Sequence, residues 1–544
     1  MKILRAALAA LALAAGCAAT STPVTPATRP RLVVVLIIDG LPQRQVVDYR
    51  DQLAPDGLRR FLDRGAWFAN AHYGHAHTVT APGHATVMTG THPATHGIIS
   101  NEWRDPVSGQ KRYCVEDAGA VYIGHRTRTG DGTSPRNLRV ETVGDALRRV
   151  SPASKVIALS AKDRGAILLA GKAGVAYIYQ SQSGEFGSTT YYMRTHPGWV
   201  DAFNAQKRAD RYFGAEWKPL LEDAAYARSL ADDHPAFDPG GSLPKRIGDT
   251  QGRAGPAFYQ SLKASPFIDE LTLDFARAAI AGEALGGDDV PDILAVSLSG
   301  HDYINHSFAA ESRLSHDHVL RVDRMLEGFF RHLDMVVGEG RYAAVLTSDH
   351  GFTPLPEHAR ALGRDSGRFD RRAAFARVEA ELALGFGEGP WLVGFTADSL
   401  VVDRGLATRK AVAVDALIDE ARKLLLAEPG VAAVYTRAEL ESASRAGAPL
   451  FEAMRRTWSR ELSGDLQMAL KAGWIFSSAR GKGTTHGGPH ASDTHVPILF
   501  YGAPWVTAGR IDTPIQVVDI APTLATILGI PPPASAEGKT LALH

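Results

Sequence analysis

Residues 31–40 read Arg-Leu-Val-Val-Val-Leu-Ile-Ile-Asp-Gly, seven unbroken apolar side chains closing on Asp39-Gly40. Such a run lacks the alternation of a half-exposed strand and predicts one buried on both faces, as in a parallel sheet covered by helices on each side. The pattern recurs at residues 293–298, before Ser299-Gly300-His301-Asp302, and at residues 342–347, before Ser348-Asp349-His350-Gly351. It returns at residues 496–500, before Tyr501-Gly502. Between the second and third runs, Val319, Val322, Leu326, Phe329, Phe330 and Leu333 follow helical spacing. Strands alternating with helices predict an α/β fold, a mostly parallel central sheet sandwiched by helices. Ligands in such folds gather at the carboxyl ends of the strands, where Asp39, Asp302, Asp349 and His350 fall.

The long stretches between these runs, at about residues 172–289 and 352–484, are expected to be insertions that cap the strand ends. The second holds a strand-helix-strand pattern over residues 391–402, 412–426 and 431–435. At 45% hydrophobic and 22% charged residues, the composition is that of an ordinary globular protein. A formal net charge of zero supplies no long-range attraction for nucleic acid, so none is expected to bind.

The amino terminus reads as a targeting segment. Lys2 and Arg5 precede an apolar run at residues 6–15 and then Gly16-Cys17-Ala18, which predicts a signal peptide over about residues 1–20. The alternative is a lipoprotein signal with Cys17 lipidated, the one route to a membrane. Either way the protein is expected in the periplasm or secreted. Residues 21–30 are Thr/Pro-rich and read as a tether, leaving residues 31–544 as the catalytic domain with its insertions. Cys114 is then the only other cysteine, so neither a disulfide nor a cysteine-bound zinc is available.

Five local patterns carry chemistry together, although each alone has a common structural explanation. Asp39-Gly40 ends a strand and could be a turn. Thr80-Ala81-Pro82-Gly83-His84 marks a turn into a helix, which sets Thr80 at an N-terminus that favours anions; an N-cap threonine would look the same. Asp302 and His306 share one helical face at a spacing that can grip a metal. Asp349-His350 follows a buried strand. His486-Gly487-Gly488 precedes the last run. A mixture of carboxylate and imidazole suits zinc better than calcium. His72, His75, His77, His84, His92 and His96 crowd around Thr80 and are expected to be loop packing; His316 and His318 are expected to be exposed.

The order Asp39, Thr80, Asp302/His306, Asp349/His350, His486 resembles the alkaline phosphatase superfamily. Within it the chain is similar to the phosphate-irrepressible, threonine-nucleophile alkaline phosphatases, relatives of the nucleotide pyrophosphatase/phosphodiesterases. The likeness runs from Arg31 to the C-terminus and includes Asp493-Thr494-His495-Val496-Pro497 and Asp519-Ile520-Ala521-Pro522-Thr523. It implies two zinc ions per chain, one held by Asp302, His306 and His486, the other by Asp39, Asp349, His350 and the Thr80 hydroxyl. It further implies Thr80 as nucleophile, and Asn101, Lys162 and Arg164 as groups that bind phosphate oxygens. The implied reaction is hydrolysis of small phosphate monoesters to inorganic phosphate through a phosphothreonine. The alternative on the same fold is a phosphodiesterase/nucleotide pyrophosphatase, against which Lys162 and Arg164 argue. A sulfatase would need Cys or Ser in place of Thr80 and an arginine in place of His84.

Overall fold

The computed structural model describes residues 29–128, 130–248, 252–478 and 481–543. The expected signal peptide, Cys17 and most of the tether lie outside the described residues. The centre is a nine-stranded sheet. In chain order its strands are β1 (Leu32–Ile38), β2 (Ala66–Phe68), β3 (Val156–Ser160), β4 (Val175–Gln180), β5 (Glu185–Gly187), β6 (Asp292–Leu298), β7 (Tyr342–Thr347), β8 (Ile498–Tyr501) and β9 (Gly509–Ile511). Their spatial order is β9-β2-β8-β7-β1-β6-β3-β4-β5.

The run β7-β1-β6-β3-β4 is parallel throughout. The apolar sequence of β1 explains itself here. Leu32, Val34, Leu36 and Ile38 enter one core, while Val33, Val35 and Ile37 enter the core on the opposite face. Burying such side chains stabilises the fold by about 1.5–3 kcal/mol each, so a polar residue anywhere in β1 except its end would be costly.

Two expectations are corrected. Strand β8, from the fourth apolar run, lies antiparallel to β7; a run buried on both faces reports burial but not direction. The stretch 172–289 is not simply a cap, because β4 and β5 belong to the central sheet and helix α3 (Pro266–Glu283) packs on it. The stretch 352–484 does carry a separate four-stranded sheet over its own apolar cluster. Its expected first strand is a hairpin, Leu392–Thr396 and Ser399–Val402, followed by a helix at Val414–Ala427 and a strand at Val431–Thr436.

Four helices frame the strand ends: α1 (Thr80–Thr89), α2 (Asp163–Ala170), α4 (Gly300–Phe308) and α5 (Arg313–Leu333).

Candidate active site

The C-terminal ends of β1, β3, β6 and β7 deliver Asp39, Lys162, Asp302 and Asp349 to one buried point, because adjacent parallel strands end side by side. Gly40 continues from β1 at φ +73°, which turns the chain away from the sheet, and its amide donates to Asp349 Oδ1 at 3.0 Å. Thr80 opens α1 and is buried. The N-cap residue Val79 has no side chain to cap that helix; the Ala81 amide donates to Asn101 Oδ1 at 2.8 Å, the Gly83 amide to the Val79 carbonyl at 3.0 Å, and Pro82 has none, which leaves the Thr80 amide. The bond from Ala81 fixes the Asn101 amide and leaves its Nδ2 as a donor. Gly83 is required for close approach, since a Cβ there would stand 2.1 Å from the Asp349 carbonyl oxygen.

Two acid/imidazole groups form. His306 Nε2 and His486 Nε2 lie 3.3 and 3.5 Å from Asp302 Oδ1. His350 Nε2 lies 3.4 Å from Asp349 Oδ2 and 3.7 Å from Asp39 Oδ1. The other ring nitrogen of each histidine faces a backbone carbonyl: Thr484 at 3.2 Å from His306 Nδ1, Thr78 at 2.8 Å from His486 Nδ1 and Gly351 at 2.9 Å from His350 Nδ1. A carbonyl only accepts, so each Nδ1 carries the proton and each Nε2 presents a lone pair to a carboxylate. Lone pairs facing one another repel unless a cation stands between them. Consistently, Asp39 Oδ1, Asp302 Oδ1, Asp349 Oδ2 and His350 Nε2 are buried without a hydrogen bond, a cost of about 1–3 kcal/mol apiece. The donor set and the backbone-fixed tautomers fit metal ions of the zinc type.

Charge follows the same logic. Burial, then the neighbouring Asp349, holds the Asp39 carboxyl well above its usual range. Burial would raise Asp302 as well, but positive charge around it, with the Lys162 ammonium 2.5 Å away, brings it well below its usual range. Burial drives His350 down and, with His350 beside it, drives His486 well down, so both rings are neutral, the form that binds metal. Lys162 Nζ stands 2.8 Å from Asp39 Oδ2, 2.5 Å from Asp302 Oδ2 and 3.5 Å from Thr80 Oγ1. Burial opposes its charge, yet these carboxylates hold its pKa above the ordinary range. Arg164 faces elsewhere: its Nη1 meets the Tyr113 hydroxyl at 3.4 Å and makes no bond to the acid cluster.

Sequence reasoning missed His84, set aside as packing. It lies with Asp39 and Asp349 in a third acid/imidazole group. Its Nδ1 is 2.9 Å from the Thr80 carbonyl oxygen and 3.3 Å from Asp349 Oδ2, while Ser297 Oγ meets Nε2 at 2.9 Å. The carbonyl again assigns the proton to Nδ1, so His84 donates to the Thr80 carbonyl and sets the edge of its ring against Asp349 Oδ2. Its signal was the i, i+4 spacing from Thr80. His316 and His318 are buried, not exposed, in α5.

The sequence profile described as Type I phosphodiesterase / nucleotide pyrophosphatase matches residues 33–493. A protein named calcium-transporting ATPase from Myroides odoratus is 35% identical over 92% of both chains. Alkaline phosphatase PhoV from Synechococcus elongatus is 34% identical, covering 94% of this chain and 92% of its own. A crystal structure of wild-type alkaline phosphatase PafA is 31% identical, covers 94% of this chain and 98% of its own, and superposes with a TM-score of 0.88.

Proposed function

The chain belongs to the type I phosphodiesterase / nucleotide pyrophosphatase family and to its phosphate-irrepressible alkaline phosphatase branch, and from that membership we propose that it is an exported, zinc-dependent phosphomonoesterase acting through a phosphothreonine at Thr80. The observation that carries the reading is the set of three imidazole lone pairs held against bare carboxylate oxygens beside a buried helix-terminal hydroxyl.

Asp302, His306 and His486 would hold one zinc; Asp39, Asp349 and His350 would hold the other, next to Thr80. Bound zinc supplies Lewis acidity, which favours the Thr80 alkoxide, offsets charge on the departing oxygen and makes hydroxide available near neutral pH. Thr80 Oγ1 forms the new bond to phosphorus as the ester P–O bond breaks, and the leaving oxygen takes a proton from water. Attack of hydroxide on the phosphothreonine then returns Thr80 and releases inorganic phosphate. Lys162 Nζ, Asn101 Nδ2 and the Thr80 amide would neutralise phosphate oxygens beside the hydroxyl, the main demand of phosphoryl transfer.

The relative named as a calcium-transporting ATPase shares cleavage of a phosphorus–oxygen bond with this reading. Among the described residues no helix is long and apolar enough to cross a membrane. Export rests on Lys2, Arg5 and the apolar run at residues 6–15; lipid anchoring would require Cys17. The deciding test is phosphate release from a simple monoester by purified protein together with its metal content. About two zinc ions per active chain support the reading, and full activity in metal-free protein overturns it.

A further inference from the structure

Lys162 faces two spaces. Its ammonium contacts the acid cluster and the Thr80 hydroxyl, and it also stands 5.1 Å above the ring of Tyr303. On that side opens a cavity of about 300 Å³ between residues 126–128 with Asp131, the turn after β4 and the start of α2. Lys162, Arg164, Arg126, Arg128 and Lys263 all line it, and Lys263 Nζ lies 5.0 Å from the same Tyr303 ring.

The charge balance of this cavity is unusual for a chain whose net charge is zero. Five cationic side chains meet two lining carboxylates, Asp131 and Asp163. Asp163 is already engaged: its Oδ1 accepts the Tyr113 hydroxyl at 2.5 Å and the Arg164 amide at 2.7 Å. Among the described residues, Arg126, Arg128, Lys263 and Arg164 form no ion pair, and the buried Arg164 Nε has no hydrogen-bond partner. Elsewhere on the surface Arg50, Arg59, Arg211 and Arg228 sit on carboxylates, while Arg194, Arg246 and Arg409 stand singly, so the cavity is set apart by gathering five cations on one wall. Like charges gathered without counter-charge repel, and the arrangement is favourable only when an anion enters. Guanidinium groups offer forked donors that suit phosphate, and the Tyr303 ring offers a flat apolar face between two ammonium groups. The volume admits a sugar-sized group but little more.

We propose that this cavity, which shares Lys162 with the reaction centre, is a second anion subsite that selects phosphate monoesters whose alcohol portion itself carries a second phosphate. The inference rests on the monoesterase reading above. One phosphate occupies the ground between Thr80, Asn101 and Lys162, the carbon skeleton lies over Tyr303, and the distal phosphate meets Lys263, Arg126 and Arg128. Arg164 lines the same cavity and adds charge to that wall.

The test compares the zinc-loaded enzyme with an Arg126→Ala/Arg128→Ala/Lys263→Gln variant on fructose 1,6-bisphosphate and on p-nitrophenyl phosphate. The expected result is a fall in the ratio of the two kcat/KM values of roughly tenfold to a hundredfold, the scale of one to two lost charged contacts. The ratio should also decline more steeply with added salt in the wild type than in the variant, because the contacts are partly exposed. Lys263→Arg alone should keep most of the ratio. An unchanged ratio with good activity on p-nitrophenyl phosphate overturns the subsite and leaves the monoesterase reading standing. Acceleration of p-nitrophenyl phosphate hydrolysis by free sulfate also overturns it, since that marks a site for a detached anion. Titration of Thr80→Ala holoprotein with the bisphosphate reads binding without turnover; equal affinity with and without the three substitutions again overturns the subsite.

Discussion

Asp269 Oδ1 accepts the amide of Gly300 at 3.1 Å, so a fully buried carboxylate on α3 holds the first residue of the helix that carries Asp302 and His306. Its other oxygen lies 2.9 Å from His318 Nε2, whose Nδ1 is 3.1 Å from His301 Nδ1, and His301 Nε2 is 2.8 Å from Gln45 Oε1. Gln45 Nε2 donates to the Ala310 carbonyl at 2.8 Å, which fixes its oxygen toward His301. His301 must then donate through Nε2 and accept through Nδ1, so His318 donates through Nδ1. The Asp269–His318 contact therefore holds one further proton, as an imidazolium–carboxylate pair or as a protonated carboxyl facing a lone pair.

Removing that anchor should loosen a ligand helix without touching a ligand. Asp269→Ala leaves the Gly300 amide and His318 Nε2 unpartnered, at about 1–3 kcal/mol each. Thermal unfolding should shift down, and zinc affinity should fall by roughly 10- to 100-fold, as for other outer-shell partners. Unaltered zinc affinity in a folded variant would show that the anchor is only structural.

Thr80→Ala should lower monoester turnover by roughly three to six orders of magnitude while the circular dichroism spectrum stays native. Thr80→Ser keeps a hydroxyl and should retain part of the activity. Acid quenching during turnover, followed by peptide mapping, should place phosphate on Thr80. Phosphate found on Thr78 or Thr86 would move the nucleophile.

Dialysis against a strong chelator should abolish activity, and zinc should restore it. Restoration by calcium or magnesium alone would contradict the carboxylate–imidazole donor set.

Lys162→Ala with Arg164→Ala should cut monoester kcat/KM on the order of a hundredfold more than diester kcat/KM, since a dianion presents more charge and more free oxygens. Equal losses on both substrates would favour a phosphodiesterase.

Asp493 sits beneath the loop of His486, accepting the Gly488 amide at 2.8 Å, with Thr353 Oγ1 at 2.8 and 2.9 Å from its two oxygens. Burial pushes its carboxyl from 3.8 up to about 6. A raised carboxyl stabilises the fold while protonated: the contribution is complete below about 3.8 and is lost as pH rises through about 6. Asp493→Asn imitates the protonated form, so its melting temperature should change less between pH 4 and 7 than that of the wild type, where the contribution amounts to about 3 kcal/mol. Parallel curves would refute this.

The parallel sheet was legible because both faces of β1, β6 and β7 are buried, and only an unbroken apolar run survives that environment. The acids were legible because each ends such a run. The Asp302–His306 spacing was legible because helical geometry is local. The antiparallel β8 and the place of β4 and β5 in the sheet were not, because strand direction and neighbours depend on where distant chain returns.

The site divides in the same way. Sequence by itself determined which residue types stand at strand ends and at the start of α1, since these follow from local periodicity and punctuation. Only the tertiary structure decided which imidazole nitrogen is free, because that depends on the carbonyls of Thr484, Thr78 and Gly351, in two cases more than 150 residues away along the chain. It also decided that His84 lies against Asp349, that His318 is buried against Asp269, and that Lys263 and Arg126 share a wall with Lys162. Hydrogen-bond direction and uncompensated charge are properties of neighbours in space, and neighbours in space are set by the packing of the whole chain.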